Sequence, residues 1–136
     1  MNTNLVGYLG TLAALAAIDL MWLSQMADAF YRPVMGDAVL GSPRLAPAIV
    51  FYLLFAAGLT YFAVSPALVR GAWWPAAVNG ALLGFLAYAT YDLTNQATLR
   101  NWSTLLSIVD MGWGTVLSAV AATAGYLAVI LLDRGP

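Results

Sequence analysis

The sequence predicts an all-α fold: an integral membrane bundle of four antiparallel helices, forming one domain over residues 1–136. Of the 136 residues, 62% are hydrophobic and only 8% are charged, whereas a soluble domain carries about 25% charged residues. The apolar residues gather in four runs, each close to the 20 or so residues that cross the hydrocarbon core of a bilayer. The runs are continuously apolar rather than alternating, which excludes transmembrane strands.

Breaking residues separate the four runs. We predict helices over residues 5–27, 46–64, 76–99 and 104–132. The first connection is long and contains Pro33 and Gly36, and Ser65 with Pro66 is predicted to end the second helix. Ser103 is placed to cap the fourth helix. Short connections of this kind favour an antiparallel bundle.

Charged and aromatic residues mark the predicted membrane surfaces. Arg70 precedes Trp74, and Arg100 precedes Trp102, so each turn combines a charge with an indole at headgroup level. Arg32 follows Asp28 at the i+4 position, which favours a helical extension of the first segment. We predict that Arg32 and Arg100 contact lipid phosphate at the rim, the alternative being that they are ordinary interfacial anchors. The arginines are divided too evenly for the positive-inside rule to choose an orientation.

Small residues predict where helices approach closely. Gly80 and Gly84 form a GxxxG step on the third helix. The fourth helix offers similar positions, which are Gly112, Gly114, Ser118, Ala121 and Ala122.

Three aspartates lie inside the predicted helices. Asp19 is about 12 Å from the end of the first helix, Asp92 about 10 Å from the end of the third, and Asp110 about 9 Å after the start of the fourth, at 1.5 Å per residue. These helix ends lie on one side of the membrane, so the three carboxyl groups are predicted to form a layer in one leaflet. A membrane carboxylate costs about 2.5–3.5 kcal/mol on insertion scales, which makes the layer a functional candidate. If the fourth helix begins at Met111, Asp110 is instead an ordinary N-cap.

Polar and aromatic neighbours surround the predicted layer. Trp22 follows Asp19 by three residues, and Trp113 follows Asp110 by three, so each indole shares a helical face with its carboxylate. Amides on the third helix are predicted to donate to the acids. The complete predicted ligand-binding set is Asp19, Trp22, Tyr88, Asp92, Asn95, Gln96, Asp110 and Trp113.

Histidine and cysteine are both absent from the chain. Their absence removes disulfides, thiolate nucleophiles and imidazole-bound metals, together with the most common general base. We therefore predict no cofactor and no metal site, and the residue set favours binding over catalysis, with only Asp or Tyr left for acid–base work. The net charge of −1 gives no reason to expect nucleic acid as a partner.

Three interpretations of the aspartate layer are open. The first is structural, with the polar groups bonded across helices, although such bonds average only about 0.6 kcal/mol in membranes. The second is a pocket for a lipid, isoprenoid or pigment, since aromatic walls with a few polar groups suit such a ligand. The third is a proton-coupled transport path, for which a bundle of four helices would have to form an oligomer.

The chain also resembles a bacterial membrane family known as domain of unknown function 2177, along nearly its whole length. The resemblance rests on four blocks, Asp19-Leu20-Met21-Trp22-Leu23, Phe30-Tyr31-Arg32 before Gly36, Tyr91-Asp92-Leu93-Thr94-Asn95 and Val109-Asp110-Met111-Gly112-Trp113-Gly114-Thr115. It implies a four-helix protein of the inner membrane and no particular activity.

The sequence as a whole favours a small multi-pass protein of the bacterial inner membrane. We expect it to bind a hydrophobic or amphipathic ligand in a bundle cavity floored by the aspartates, with membrane lipids as its partners. The alternatives are an accessory or assembly subunit of a larger membrane complex, and a proton-coupled small transporter that acts as a homo-oligomer.

Overall fold

The structure, a computed structural model, describes residues 2–133, and the regular structure within them is helical. Short turns connect four long helices, each antiparallel to the one before it, which confirms the predicted all-α four-helix bundle. In chain order the helices are α1 (Thr3–Ala38), α2 (Leu45–Arg70), α3 (Trp74–Thr98) and α4 (Thr104–Asp133). The first of them is composite and contains the α-helix Thr3–Met26, a π-helical turn Ala27–Tyr31, the short helix Arg32–Met35 and a 3₁₀ turn Gly36–Ala38.

The outer surface of the bundle is that of a membrane protein. Helices α1 and α2 and the segment Thr104–Leu132 of α4 are each long and apolar enough to cross a bilayer. Helix α3 has the length but is the least apolar of the four. Its outward face is nevertheless apolar, with exposed Val78, Leu82, Phe85 and Leu86. Large exposed apolar areas of this kind are uncommon on soluble monomers, and they suit contact with lipid.

Helix α4 is central to the bundle because both α1 and α3 pack along it. On the α3 side, a methyl group added at Gly80 would lie 2.7 Å from the Ser118 carbonyl oxygen, and one at Gly84 would overlap Ser118 itself. On the α1 side, a methyl group added at Gly125 would lie 2.8 Å from the Gly7 carbonyl oxygen. The helices therefore touch through their backbones, and the close approach predicted for the GxxxG step is confirmed.

Two other glycines of α4 behave differently from each other. The ring of Tyr88 lies directly on Gly114, where an added Cβ would overlap it. Gly112, predicted as a packing position, faces open space: among the described residues nothing lies within 4 Å of a Cβ built there. Gly112 and Gly114 are about 200° apart around the helix, so they face different surroundings.

Helix α2 continues to Arg70, whereas the sequence predicted an end at residue 64 before Pro66. A proline inside a helix cannot donate to the carbonyl four residues earlier, which here is that of Phe62. The chain accommodates this with a π-helical turn at Thr60–Val64, and the side chain of Asn79 on α3 donates to the Phe62 carbonyl oxygen at 3.2 Å. A neighbouring helix thus replaces the missing donor, as membrane helices often allow.

The π-helical turn also marks where α2 separates from its neighbours. Beyond Thr60 the helix packs on α3 and α4, but the preceding part, Leu45–Leu59, packs on α1 and has almost no contact with α3. A gap therefore opens between α2 and α3 at one end of the bundle. This is the end at which α1 and α3 finish and α4 begins, where the sequence placed the aspartate layer.

The helical extension of α1 lies at the same end. The predicted pair of Asp28 and Arg32 forms an ion pair of 2.8 Å on the exposed face. The π-helical turn Ala27–Tyr31 contains both Asp28 and Tyr31. Helix α4 begins with the predicted cap, since the backbone N–H of Leu106 donates to Ser103 Oγ at 3.0 Å. Asp110 consequently lies inside α4 and is not an N-cap.

Candidate functional site

The carboxylate of Asp19 joins three helices. Tyr52 on α2 donates its hydroxyl to Oδ2 at 2.6 Å, and Trp113 on α4 donates its indole N–H to Oδ1 at 2.9 Å. Asp19 is only 8% exposed, and each of its oxygens has an aromatic donor. Hydrogen bonds to a charged acceptor are short and strong, so this residue fixes the position of α2 relative to α1 and α4.

Asp110 lies in a second hydrogen-bonded chain. The hydroxyl of Tyr31 donates to its Oδ1 at 2.6 Å, and the indole N–H of Trp22 donates to the Tyr31 hydroxyl at 3.0 Å. The rings of Trp22 and Trp113 stack, with centroids 4.1 Å apart and planes 8° from parallel. The sequence paired each indole with the aspartate of its own helix. In the structure Trp113 donates to the aspartate of α1, whereas Trp22 donates to Tyr31 on its own helix and reaches Asp110 only through that hydroxyl.

Asp92 is fully buried, at 0% exposure, and its environment is unusual. Among residues 2–133, no donor reaches either of its carboxyl oxygens. Buried polar groups usually have a hydrogen-bond partner, so Asp92 stands apart from the bonded networks of Asp19 and Asp110.

The amides of α3 do not donate to the aspartates, which corrects the sequence-based expectation. Gln96 donates to Thr104 Oγ1 at 2.9 Å and accepts from the Ser107 hydroxyl at 2.7 Å. Ser107 in turn accepts from the Trp102 indole at 3.1 Å. Gln96 lies one helical turn beyond Asp92, beside the α3–α4 connection, and it holds that turn instead. Within the described part of the chain, the Asn95 side chain makes no hydrogen bond.

A cavity of about 220 Å³, here named the inner cavity, lies between α1, α3 and α4 beside these networks. Its polar and aromatic lining residues are Asp19, Tyr31, Tyr88, Tyr91, Trp102, Asp110 and Trp113. A second cavity of about 270 Å³, here named the lateral cavity, fills the gap between α2 and α3. It is lined by Phe51, Ala87, Tyr88, Tyr91 and Asp110. The two cavities share Tyr88, Tyr91 and Asp110, so Asp110 lies where they meet.

The two arginines predicted to contact lipid phosphate lie away from these cavities. Arg32 and Arg100 are both exposed, and Arg32 is paired with Asp28. Neither lines the inner or the lateral cavity. Of the predicted set, hydrogen bonds, the indole stack and the cavity linings bring together Asp19, Trp22, Tyr88, Asp110 and Trp113. Asp92 is buried but lines neither cavity, and Asn95, Gln96, Arg32 and Arg100 lie elsewhere.

Three tyrosines at the site, Tyr31, Tyr52 and Tyr91, were not among the residues predicted from the sequence. Tyr31 lies in one of the four resemblance blocks, which is a signal that could have selected it. Tyr52 lies in an apolar run of α2 with no polar neighbour in sequence, and only the packing of α2 against α1 reveals its bond to Asp19.

The lining of the two cavities combines polar and aromatic side chains. Its donors are neutral phenols and indoles, its acceptors are carboxylates, and much of its wall is aromatic. In the described residues, 2–133, no three acidic side chains are arranged to hold a metal ion together. Pockets that combine apolar walls with a few convergent polar groups are typical of small-molecule binding.

Comparison with known proteins agrees with this architecture. Residues 4–127 match the family described as "Predicted membrane protein (DUF2177)". No curated protein and no solved structure matches the chain. Since the match covers most of the chain, and its helices form an apolar bundle, the chain belongs to the DUF2177 family of predicted membrane proteins.

Proposed function

We propose that the protein binds a hydrophobic or amphipathic small molecule, of the lipid, isoprenoid or pigment type, in the inner membrane of a bacterium. The polar part of the molecule occupies the inner cavity, and its apolar part extends through the lateral cavity. The observation that carries this proposal is the position of Asp110, a 9% exposed carboxyl group at the junction of the two cavities.

The free-energy cost of burying three acids in membrane helices supports a binding role over a purely structural one. Each buried acid in a membrane helix is expensive, and the average interhelical hydrogen bond returns only about 0.6 kcal/mol. Asp19 and Asp110 have donors, but Asp92 has none within residues 2–133 and therefore contributes no hydrogen bond to the bundle.

The shape of the gap also supports binding. Each cavity alone is smaller than the roughly 300–1,000 Å³ of typical ligand pockets, but the two adjoin and together reach that range. Phe51 and Tyr91 are exposed at the mouth of the lateral cavity, between α2 and α3. A molecule dissolved in the bilayer therefore has a route to Asp110 from the lipid side.

Native mass spectrometry of the purified full chain tests the proposal. We expect a bound small molecule of defined mass that survives detergent removal, together with its loss in Ala87→Trp, which fills the lateral cavity. Ala97→Trp is the matched control, because Ala97 is exposed on the same helix and lines neither cavity. Far-UV circular dichroism must show equal helicity in both variants. A molecule retained equally by both variants, or a protein subunit bound in place of a small molecule, would contradict the proposal.

A further inference from the structure

We propose that the helical extension of α1, residues 27–38, is a lid on the inner cavity and that the hydrogen bond from Tyr31 to Asp110 is its latch. The inference deepens the proposed function and rests on it, because such a lid controls the passage of the bound molecule's polar part between the cavity and the membrane surface. It is carried by what the lid segment covers, how little holds the segment in place, and where the segment can bend.

The first observation is that the lid segment forms part of the wall of the inner cavity. Tyr31 and Met35 belong to the segment, and both line the cavity. Trp102 and Leu106, from the α3–α4 turn and the start of α4, line the same cavity. The lid segment and this turn lie at the same end of the bundle, so the segment covers the cavity on the side of that membrane surface.

The second observation is that little besides Tyr31 holds the lid segment in place. None of its residues is buried, and its backbone packs mainly on itself and on the preceding part of α1. The ion pair of Asp28 with Arg32 lies within the segment and is exposed. Within residues 2–133, the 2.6 Å bond from Tyr31 to Asp110 is the one side-chain hydrogen bond that joins the segment to another helix. A segment with so few buried contacts opens at a low free-energy cost.

The third observation is that the lid segment has irregular backbone at both ends. The π-helical turn Ala27–Tyr31 joins it to the α-helix Thr3–Met26, and turns of this type interrupt the regular helical ladder and allow a bend. At the other end Gly36 has a φ of 59°, which glycine adopts readily, and residues 39–44 are not helical. Loss of one hydrogen bond can therefore release the segment while the rest of the bundle stays packed.

Hydrogen exchange, measured by mass spectrometry on the full chain in a nonionic detergent, tests the latch. We expect the amides of residues 27–35 to exchange about fivefold faster in Tyr31→Phe than in the unmodified protein, because the loss of one hydrogen bond raises the open population. Exchange in α2 and α3 should not change. Tyr52→Phe is the matched control, since it removes a tyrosine–aspartate bond of the same 2.6 Å length, to Asp19, from outside the lid segment.

Cysteine labelling tests whether the lid segment covers the cavity. The chain contains no cysteine, so Leu106→Cys places a single thiol in the wall of the inner cavity, at a position that is only 1% exposed. We expect a charged, water-soluble methanethiosulfonate reagent to label this thiol about fivefold faster when Tyr31→Phe is added. Adding Tyr52→Phe should leave the labelling rate unchanged.

A double-mutant cycle with Asp110→Ala separates the latch from other effects of the tyrosine. Asp110→Ala removes the acceptor, so by itself it should accelerate exchange in residues 27–35, and adding Tyr31→Phe should then change little. If Tyr31→Phe fails to fold, Asp110→Ala supplies the same two measurements.

Two results would overturn the lid. One is unchanged exchange in Tyr31→Phe, or an equal acceleration by Tyr52→Phe. The other is faster exchange without faster labelling of Leu106→Cys, which would show that the segment does not cover the cavity. Neither measurement requires a ligand, so their failure would leave the binding function intact. A chain that purifies without a small molecule would overturn the binding function and not the latch.

Discussion

The hydrogen bond from Asn79 to the Phe62 carbonyl oxygen provides a sharp test of how α2 continues past its proline. Pro66 has no N–H with which to pair this carbonyl, and Asn79 on α3 supplies the donor at 3.2 Å. We predict that Asn79→Ala destabilises the fold, because no water is available in the hydrocarbon core to replace the lost donor.

The expected loss of stability follows from the geometry of this hydrogen bond. An unsatisfied buried acceptor costs about 1–3 kcal/mol, but interhelical bonds in membranes average about 0.6 and reach about 1.7 kcal/mol. A distance of 3.2 Å is at the long end of the normal range for N–H···O bonds. We therefore expect a loss of about 1 kcal/mol, which is about a fivefold change in the folding equilibrium constant.

A double-mutant cycle isolates this bond from other effects of the substitution. In Pro66→Ala, the restored backbone N–H can pair the Phe62 carbonyl, so Asn79→Ala in that background should cost less than about 0.5 kcal/mol. The free energy of unfolding is measured in mixed nonionic detergent and SDS micelles by far-UV circular dichroism. Thr90→Ala is the control, because Thr90 donates only to its own helix, at the Leu86 carbonyl oxygen 2.7 Å away. An equal cost of Asn79→Ala with and without Pro66 would refute the reasoning.

The remaining predictions concern packing and polar contacts, and the same unfolding measurement checks them. Gly84→Ala should lower the free energy of unfolding by about 1–3 kcal/mol because the added methyl group overlaps the backbone of α4. Gly112→Ala should be neutral or should stabilise by up to about 1 kcal/mol. Equal effects of the two substitutions would contradict the backbone contact at Gly84. Asp19→Asn should lower the free energy of unfolding by about 1–3 kcal/mol because an amide keeps only one acceptor oxygen for two donors. An unchanged stability would show that the hydrogen bonds from Tyr52 and Trp113 do not stabilise the bundle. Arg32→Gln removes only an exposed ion pair and should change stability by less than about 0.5 kcal/mol; a larger loss would show an additional contact.

Much of the fold was predictable because it depends on local composition. Four apolar runs of bilayer length require helices, since a backbone in hydrocarbon must pair its own polar groups. The close approach at Gly80 and Gly84 was predictable for the same kind of reason, because only small residues let helix backbones touch. The α2 helix end was not predictable from its proline. The donor that lets α2 continue comes from Asn79, which is 17 residues distant along the chain from its acceptor.

The candidate site also has a part that was predictable from the sequence and a part that was not. The depth of a residue in a membrane helix follows from its distance to the helix end, because each residue adds 1.5 Å. The sequence could therefore place Asp19, Asp92 and Asp110 at one level. Their partners depend on how each helix is rotated about its axis and which helices adjoin. Trp113 consequently bonds the aspartate of α1 rather than that of its own helix.

What the sequence determined by itself is a membrane bundle, together with the prediction that three acidic residues lie at one depth, because helical rise and hydrophobicity are local properties. What only the tertiary structure decided is the content of that layer. It brought in Tyr31 and Tyr52, directed Gln96 to the α3–α4 turn and left Asp92 without a donor among residues 2–133. The physical reason is that hydrogen bonds between helices depend on rotation and spacing, which the whole bundle sets together.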